Sequence, residues 1–141
     1  LRTRGSDSVV IQELAATDFE EYRLVNELIL QGQVVQPSIL VAQAKDTKEY
    51  DTVVISKAAD TMLAMSGIEA SFVIAKNRQG DISISARSRS KINVQRIMEE
   101  LGGGGHFNLA AARLTDMSLQ EAGDKLKTII SNELSEKETE E

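Results

Sequence analysis

The chain has 141 residues, of which 41% are hydrophobic, and it contains no cysteine. A chain of this length and composition forms one ordinary globular domain with a buried core. The lack of cysteine excludes disulfide bonds, thiolate zinc sites and cysteine nucleophiles, and it fits a reducing compartment. No apolar run approaches the roughly 18 residues that a membrane span needs, and no signal-peptide pattern indicates export.

The net charge of −6 is concentrated at the C-terminal end of the sequence, where residues 131–141 hold five glutamates and one lysine. We therefore expect residues 132–141 to form an acidic, disordered tail. The rest of the sequence is nearly neutral, which argues against a general nucleic-acid binder with a broad basic face. A small, local anion site remains compatible with this charge.

The first third of the sequence predicts a helix followed by a strand. Thr17 and Glu20 fit a capping box, and apolar residues at helical spacing follow as far as Gly32. The run Val34–Ala42 is rich in β-branched residues and predicts a strand. Because Pro37 cannot donate to a ladder, we expect this strand to lie at an edge or to start late.

The middle of the sequence predicts a second helix and a hairpin. Asp51 can cap a helix that ends at Gly67. The segments Ser71–Lys76 and Asp81–Ser88 predict two strands, joined by a turn at residues 77–80.

The last third predicts two more helices. Asn93 caps a short helix that leads to Leu101, and Ser118 and Glu121 form a second capping box before a final helix. No repeat or linker divides the sequence. The predicted fold class is α/β, a single domain with a mixed central β-sheet flanked by helices.

A run of four glycines followed by a histidine, Gly102–His106, is the most informative motif. Glycine backbone can adopt left-handed and strained conformations, so successive N–H groups can converge on one point. If an alanine-rich helix begins at His106, these amides lie at a helix N-terminus, which favours an anion. The motif predicts a phosphate-binding loop, and a flexible hinge is the alternative.

The predicted strand ahead of this loop has a polar face. Ser85 and Arg87 alternate with apolar residues, and Ser88 ends the strand. The planar fork of an arginine suits phosphate, and flanking hydroxyls can complete the coordination. Because one short helix separates Ser88 from the glycines, we expect the two elements to meet at the C-terminal end of the strand. Otherwise Arg87 is an ordinary surface residue.

Two further residues each allow two interpretations. Asn108, in the first turn of the helix predicted after the loop, either caps that helix or presents its amide to a base or ribose. His106 either orders the loop or binds the ligand. As the one histidine of the sequence, it cannot form a multi-histidine metal centre, and the aspartates show no ligand spacing. We predict no metal ligands here, so the rest of an active site should lie on another domain.

Three segments together resemble a known family. Ser85–Ser88, Ile92–Val94 and Gly102–His106 resemble the C-terminal substrate-binding domain that accompanies DHH-family phosphoesterases. The similarity runs over about residues 5–130. The residues after the loop are most similar to those of bacterial cyclic di-AMP phosphodiesterases of the GdpP type.

This resemblance implies a division of the chemistry between two domains. Residues 1–16 would be the end of a preceding DHH catalytic domain and its linker, and residues 17–131 would be the substrate-binding domain. The DHH domain would hold two manganese ions that activate water to attack a phosphodiester. The resemblance implies a substrate-binding role for residues on the strand and the loop, and a catalytic role for His106 in stabilising transition-state charge. The implied substrate-binding residues are Ser85, Arg87, Ser88, Gly102, Gly103, Gly104, Gly105, His106 and Asn108.

The resemblance also implies the ligand and its setting. The expected ligand is cyclic di-AMP or a short linear adenine dinucleotide, with the preceding DHH domain as the protein partner. We expect a cytoplasmic location without direct membrane contact by this domain, even if the parent protein is membrane-anchored. Homodimer formation stays open. Phe107–Ala111 departs from the pattern of the oligoribonucleotide-degrading relatives. That activity therefore ranks second and an RNA-binding module like that of alanyl-tRNA synthetases third, and a purely structural or dimerising domain stays open.

Overall fold

A computed structural model describes residues 19–140, with side chains as far as residue 136. The predicted linker, residues 1–16, lies outside this range. Within it, one mixed sheet of seven strands lies between helices, which confirms the predicted fold class. The helices are α1 (residues 19–29), α2 (Thr52–Leu63), α3 (Val94–Glu99) and α4 (Leu119–Glu140). The strands are β1 (Gly32–Gln36), β2 (Ile39–Gln43), β3 (Glu49–Tyr50), β4 (Ala70–Asn77), β5 (Ile82–Ser88), β6 (Gly104–His106) and β7 (Leu109–Leu114).

The strands lie in the order β1-β2-β4-β5-β7-β6, and β3 pairs with β4 beyond the end of β2. β2 and β3 run parallel to β4, whereas the other neighbours are antiparallel. β1 and β6 therefore form the two edges of the sheet. All of the predicted site residues lie in β5 and β6 or in the segments that flank β6.

Buried apolar side chains form one cluster on each face of the sheet. On one face Leu28 of α1 and Met62 of α2 are fully buried, and on the other Met98 of α3 and Leu126 of α4. Burial of one such side chain contributes about 1.5–3 kcal/mol, so each helix is held on its face by its own apolar stripe. No helix in the described range is long and apolar enough to cross a membrane.

The predicted helix starts are confirmed where the structure describes them. The side chains of Asp51 and Asn93 cap the first turns of α2 and α3. The Ser118 Oγ accepts from the Glu121 N–H at 3.1 Å, and the Glu121 carboxylate accepts from the Ser118 N–H at 2.9 Å. This reciprocal pair is the predicted capping box. Thr17, of the other predicted box, lies outside the described residues.

One of the two predicted strand patterns is correct. The hairpin predicted around residues 77–80 is confirmed as β4 and β5. The single strand predicted at Val34–Ala42 is wrong, because β1 and β2 form a hairpin with Pro37 and Ser38 in its turn. Ser38 has a φ of 67°, as the second central residue of a type II turn requires, and proline suits the first.

The helix predicted from His106 onward is also wrong, since this segment forms β6, a turn at residues 107–108, and β7. Ala110 and Ala112 are buried on one face of β7, and Ala111 is exposed on the other. This period-two packing outweighs the helix propensity of alanine. The glycine loop therefore follows the C-terminal end of α3, and the helix-dipole argument for an anion does not apply.

Residues 132–140 of the predicted disordered tail lie in α4, which continues to Glu140. Leu134 packs against the core cluster beneath α4. Arg96 of α3 pairs with Glu136 at 3.5 Å. Both contacts extend beyond the last residue that the sequence pattern assigned to the domain, and they hold the acidic segment in helical form.

Candidate functional site

Arg87 and His106 lie in one row across three strands. Arg87 on β5 pairs with Leu109 on β7, which pairs with His106 on β6. Directly paired residues project from the same face of a sheet. Neighbouring strands are about 4.8 Å apart, so the Cα atoms of Arg87 and His106 are about 10 Å apart. The arginine strand and the glycine loop therefore lie at the same end of the sheet, as predicted, but β7 separates them and they are not in direct contact.

A second row runs beside the first, in which Ser85 pairs with Ala111 and Ala111 pairs with Gly104. Both rows lie on the α2 side of the sheet, because the hydroxyl oxygens of Ser56 on α2 and Ser85 are 3.3 Å apart. Leu109 is 51% exposed, so no described residue covers this side of β7. We define the open face as the surface formed by Ser85, Arg87, Gly104, His106, Leu109 and Ala111.

Arg87 is a buried cation whose hydrogen-bonding capacity is only partly used. Its side chain is 11% exposed. The Nε donates to the Asp60 carboxylate at 2.6 Å, and Nη1 donates to the Ala86 carbonyl oxygen at 2.9 Å. Nη2 makes no hydrogen bond within the described residues, where no buried side-chain nitrogen or oxygen lacks a partner. Nη2 therefore reaches solvent, and Arg87 can bind an anion while keeping its present contacts.

His106 lies at the outer end of the first row. Its side chain is exposed, and within residues 19–140 its imidazole makes no hydrogen bond or ion pair. β6 is an edge strand, so alternate backbone N–H groups along it face away from β7. The imidazole and these amides are donors that a ligand can use.

Two of the four glycines are required by the packing of the loop on β7. A Cβ at Gly103 would overlap the Ala111 carbonyl oxygen and lie 2.6 Å from the Cα of Ala112. A Cβ at Gly105 would lie 2.6 Å from the Cα of Ala110, and Gly105 has a φ of 146°. The close approach of the loop to β7 therefore requires glycine at both positions.

The other two glycines differ from each other. Gly102 has a φ of 82°, and its N–H donates to the Glu99 carbonyl oxygen at the end of α3. Gly104 has no such backbone requirement, and a Cβ added there would meet no atom within 4 Å. Because Gly104 belongs to the open face, the space beside it is available to a ligand.

Ser88 and Asn108 come together, but their polar groups are used within the fold. Ser88 is buried on the opposite side of β5 from Arg87, and its hydroxyl donates to the Ile92 carbonyl oxygen at 2.6 Å. The Asn108 side chain lies in the β6–β7 turn and donates to the Ser88 hydroxyl at 2.9 Å. These bonds tie the turn to the end of β5 and so position the open face. Direct ligand contact by either residue stays a prediction.

A cleft of about 420 Å³ continues the open face toward the start of α2. It falls within the range of about 300–1,000 Å³ that small-molecule sites occupy. Its lining includes Thr52, Ser56, Ser83, Ser85, Ala111 and Arg113. A second cavity of about 240 Å³ lies between α3, the β6–β7 turn and α4, and none of the predicted site residues lines it.

Two residues that shape the site are not among the predicted site residues. Asp60 reaches Arg87 from α2 across 27 positions of sequence. Arg89 donates through Nη2 to the Leu63 carbonyl oxygen at 2.8 Å and so holds the end of α2. The i, i+4 spacing of Ser56 and Asp60 places both on one face of α2, but it does not show that this face meets β5.

The site does not fit a metal ion. The described residues contain no group of three or more His, Cys, Asp or Glu side chains that could hold one. The polar side chains of the open face are an arginine, a histidine and a serine, which are donors suited to an anion rather than ligands for a hard cation. A metal ion at this face would need ligands other than the described residues.

Comparisons with known proteins give the family. A model of the DHHA1 domain matches residues 36–136. The cyclic-di-AMP phosphodiesterase GdpP of Geobacillus thermodenitrificans is 42% identical over 130 residues, and the cyclic-di-AMP phosphodiesterase PdeA of Listeria monocytogenes is 39% identical over 130 residues. Each match covers 92% of this chain but 20% of the relative. The chain therefore spans about a fifth of the length of these curated relatives.

Solved structures share the fold at low sequence identity. An exopolyphosphatase-related protein from Bacteroides fragilis has a TM-score of 0.68 at 18% identity, and covers 79% of this chain and 34% of that one. The pGpG-specific phosphodiesterase PggH from Vibrio cholerae has a TM-score of 0.55 at 16% identity, over 80% of this chain and 39% of that one. With the family match over residues 36–136, the chain belongs to the DHHA1 domain family.

Proposed function

We propose that this domain is the substrate-binding half of a metal-dependent cyclic di-AMP phosphodiesterase. In this proposal the open face holds the nucleotide, and a preceding DHH domain carries two manganese ions and the attacking water. Identity of 39–42% to proteins named cyclic-di-AMP phosphodiesterases supports the choice of substrate. The observation that carries the proposal is the row across β5, β7 and β6, in which buried Arg87, with unused N–H donors, and exposed His106 lie on either side of Leu109.

The charge of the open face suits a phosphodiester. Arg87 contributes a cation that is held in place by Asp60 and the Ala86 carbonyl, and it retains free N–H groups. A neighbouring cation, Arg113, is already paired with Asp81 at 2.8 Å. Arg87 and Arg113 are thus each paired with a carboxylate, so these four groups carry no net formal charge, and the face offers N–H donors rather than an excess of positive charge. Such a face matches a phosphodiester with one negative charge better than a polyanion.

The remaining residues of the open face divide the work of binding. In the proposal, Arg87 orients one phosphate, and the outward amides of β6 with His106 bind phosphate oxygens at the other end of the row. His106 stabilises charge that develops in the transition state. Half-exposed Leu109 between them gives an apolar contact for a ribose or base, and Gly104 leaves room for the ligand.

The test is hydrolysis of cyclic di-AMP with manganese by this domain in its parent protein with the catalytic domain present. We compare wild type with Arg87→Ala and His106→Ala. Each variant should lose at least tenfold in kcat/KM, about 1.4 kcal/mol of transition-state stabilisation. Assay of the linear adenine dinucleotide in parallel shows whether the cyclic or the linear compound is the preferred substrate.

Arg96→Ala is the matched control, because it removes one arginine from the other side of the sheet, where it pairs with Glu136. It should retain activity within about twofold, within the range of ordinary surface substitutions. His106 is exposed, so His106→Ala should fold normally even if loss of buried Arg87 lowers stability. Full activity of folded Arg87→Ala and His106→Ala proteins would contradict the proposed function.

A further inference from the structure

We propose that Asp60 on α2 is a positioning residue that fixes the guanidinium of Arg87 in the orientation that receives the ligand. The inference rests on the proposed function, since it requires Arg87 to bind the substrate. It assigns a role in the site to α2, a helix that contains none of the sequence motifs.

The two hydrogen bonds of Arg87 hold its guanidinium at two different nitrogens. Asp60 accepts from Nε at 2.6 Å, and the Ala86 carbonyl accepts from Nη1 at 2.9 Å. Since the guanidinium is planar, anchoring two of its nitrogens fixes both the position and the plane of the fork. Three N–H groups remain on Nη1 and Nη2, and they keep the geometry that suits a phosphate. Without Asp60 one anchor remains, and the fork can rotate about it.

The location of Asp60 follows from the similar spacing of residues along α2 and along β5. Four residues of helix rise about 6 Å and two residues of strand about 6.8 Å, so Ser56 and Asp60 can face Ser85 and Arg87 together. The Ser56 and Ser85 hydroxyl oxygens are 3.3 Å apart. On the other side of Arg87, its partner on β4, Ser71, donates to the Ala59 carbonyl oxygen of α2 at 2.7 Å. Asp60 is therefore held beside Arg87 by its neighbours.

The ion pair between Asp60 and Arg87 contributes little to the stability of the fold. The side chain of Asp60 is 59% exposed, and ion pairs with a solvated partner contribute little to stability. α2 is already anchored by four residues that are fully buried, Ile55, Ala58, Ala59 and Met62. An aspartate beside an anion site also repels the ligand through space. In the proposal, Asp60 lies beside the anion site because it orients the guanidinium of Arg87.

The experiment measures cyclic di-AMP hydrolysis by the parent protein with Asp60→Ala, Asp60→Asn and Arg87→Ala, and with Asp60→Ala combined with Arg87→Ala. Asp60→Ala should lower kcat/KM about tenfold, and Asp60→Asn, which keeps an acceptor oxygen, about threefold or less. In the double variant, Asp60→Ala should add no further loss, because residues that act through one contact are not additive. Thr61→Ala, an exposed neighbour on α2, is the control and should retain activity within twofold.

An NMR measurement on the 141-residue chain reports on Arg87 directly. Asp60→Ala should change the chemical shift of the Arg87 Nε–H, whereas the backbone amide resonances of β5 and β7 should keep their chemical shifts. Activity of Asp60→Ala equal to wild type, with Arg87→Ala impaired, would overturn the positioning role and leave the proposed function intact. An equal loss from Asp60→Ala in the Arg87→Ala background would also overturn it, because Asp60 would then act by another route. If Arg87→Ala retains full activity, the proposed function itself fails.

Discussion

The domain contains two groups of interacting polar residues. They differ in whether their polar groups all find hydrogen-bond partners among the described residues. Between α1 and β3, Glu27 accepts from Lys48 Nζ at 2.8 Å, from the Tyr50 hydroxyl at 3.0 Å and from Arg23 Nη1 at 2.8 Å. We call these four residues the α1 cluster. On the open face, Arg87 retains a nitrogen without a partner among the described residues. The exposed imidazole of His106 has none there either.

The comparison separates a structural cluster from a candidate binding site. In the α1 cluster one carboxylate accepts from three side chains, which lie on α1, on β3 and just before β3, so its bonds fasten α1 to β3. On the open face Arg87 keeps N–H groups that no described residue accepts from, and both Arg87 and His106 lie on strands rather than on loops. Free, preorganised donors are what anion recognition requires.

The largest effect should come from a substitution that disrupts the packing of the glycine loop on β7. In Gly103→Ala the new methyl group would overlap the Ala111 carbonyl oxygen and lie 2.6 Å from the Cα of Ala112. Overpacking against backbone that cannot move aside should cost about 3 kcal/mol of unfolding free energy. Chemical denaturation of the 141-residue chain measures it. Stability equal to wild type would show that the loop does not pack on β7 as described.

The next largest effect should be on activity alone, at a position beside the proposed ligand that does not affect the packing of the loop. In Gly104→Ala the methyl group would meet no protein atom within 4 Å, so stability should stay within about 0.5 kcal/mol of wild type. The methyl group would occupy the space proposed for the ligand, and hydrolysis of cyclic di-AMP by the parent protein should fall at least tenfold, about 1.4 kcal/mol. An active Gly104→Ala protein would show that the ligand lies elsewhere on the open face.

The α1 cluster should respond in the opposite way. Glu27→Gln removes the charge that three donors share, and it should lower the unfolding free energy by about 1 kcal/mol with no change in hydrolysis. The hydrogen bond from Lys48 holds the pKa of Glu27 below its ordinary value. The stabilisation is therefore present above the ordinary carboxyl range and is lost as the pH falls through the lowered pKa, so the gap between variant and wild type should narrow in acid.

Glu20→Gln is the control for this prediction, because Glu20 pairs with the same Arg23 from an exposed position. Its effect on stability should be smaller than that of Glu27→Gln. A loss of hydrolysis in folded Glu27→Gln protein would remove the distinction between the two groups of residues.

The sequence predicted the core of the open face because the two motifs lie close together along the chain. One short helix connects the strand that carries Arg87 to the glycines, so proximity in sequence implied proximity in space. The element after the loop was predicted wrongly, since Ala110–Ala112 favour helix locally. They form a strand because Ala110 and Ala112 are buried against the core while Ala111 is exposed, and this burial depends on residues that are distant in the sequence.

Two other features of the site could not be predicted from local pattern. Asp60 reaches Arg87 from a helix 27 residues away, and its contact depends on the matching of α2 to β5. Ser88 has the residue type and position expected of a ligand contact, yet its hydroxyl is used by the Ile92 carbonyl oxygen. Motifs thus located the candidate site, whereas the side of the strand on which each residue lies decides whether its polar group faces the open face or is used within the fold.

The smallest effect tests whether the α1 cluster is closed to solvent. Burial, and the hydrogen bond that the Tyr50 hydroxyl donates to Glu27, raise the pKa of Tyr50 to about 12. The folded state then keeps a proton that the unfolded chain loses at its ordinary pKa of about 10, so stability should decline as the pH rises from about 10 to about 12. In Tyr22→Phe protein, which leaves Tyr50 as the one tyrosine, tyrosinate absorbance should appear with a midpoint near 12. A midpoint near the ordinary value of about 10 in folded protein would show that the Tyr50 hydroxyl is solvated, and the α1 cluster would then be as open as the face that carries Arg87.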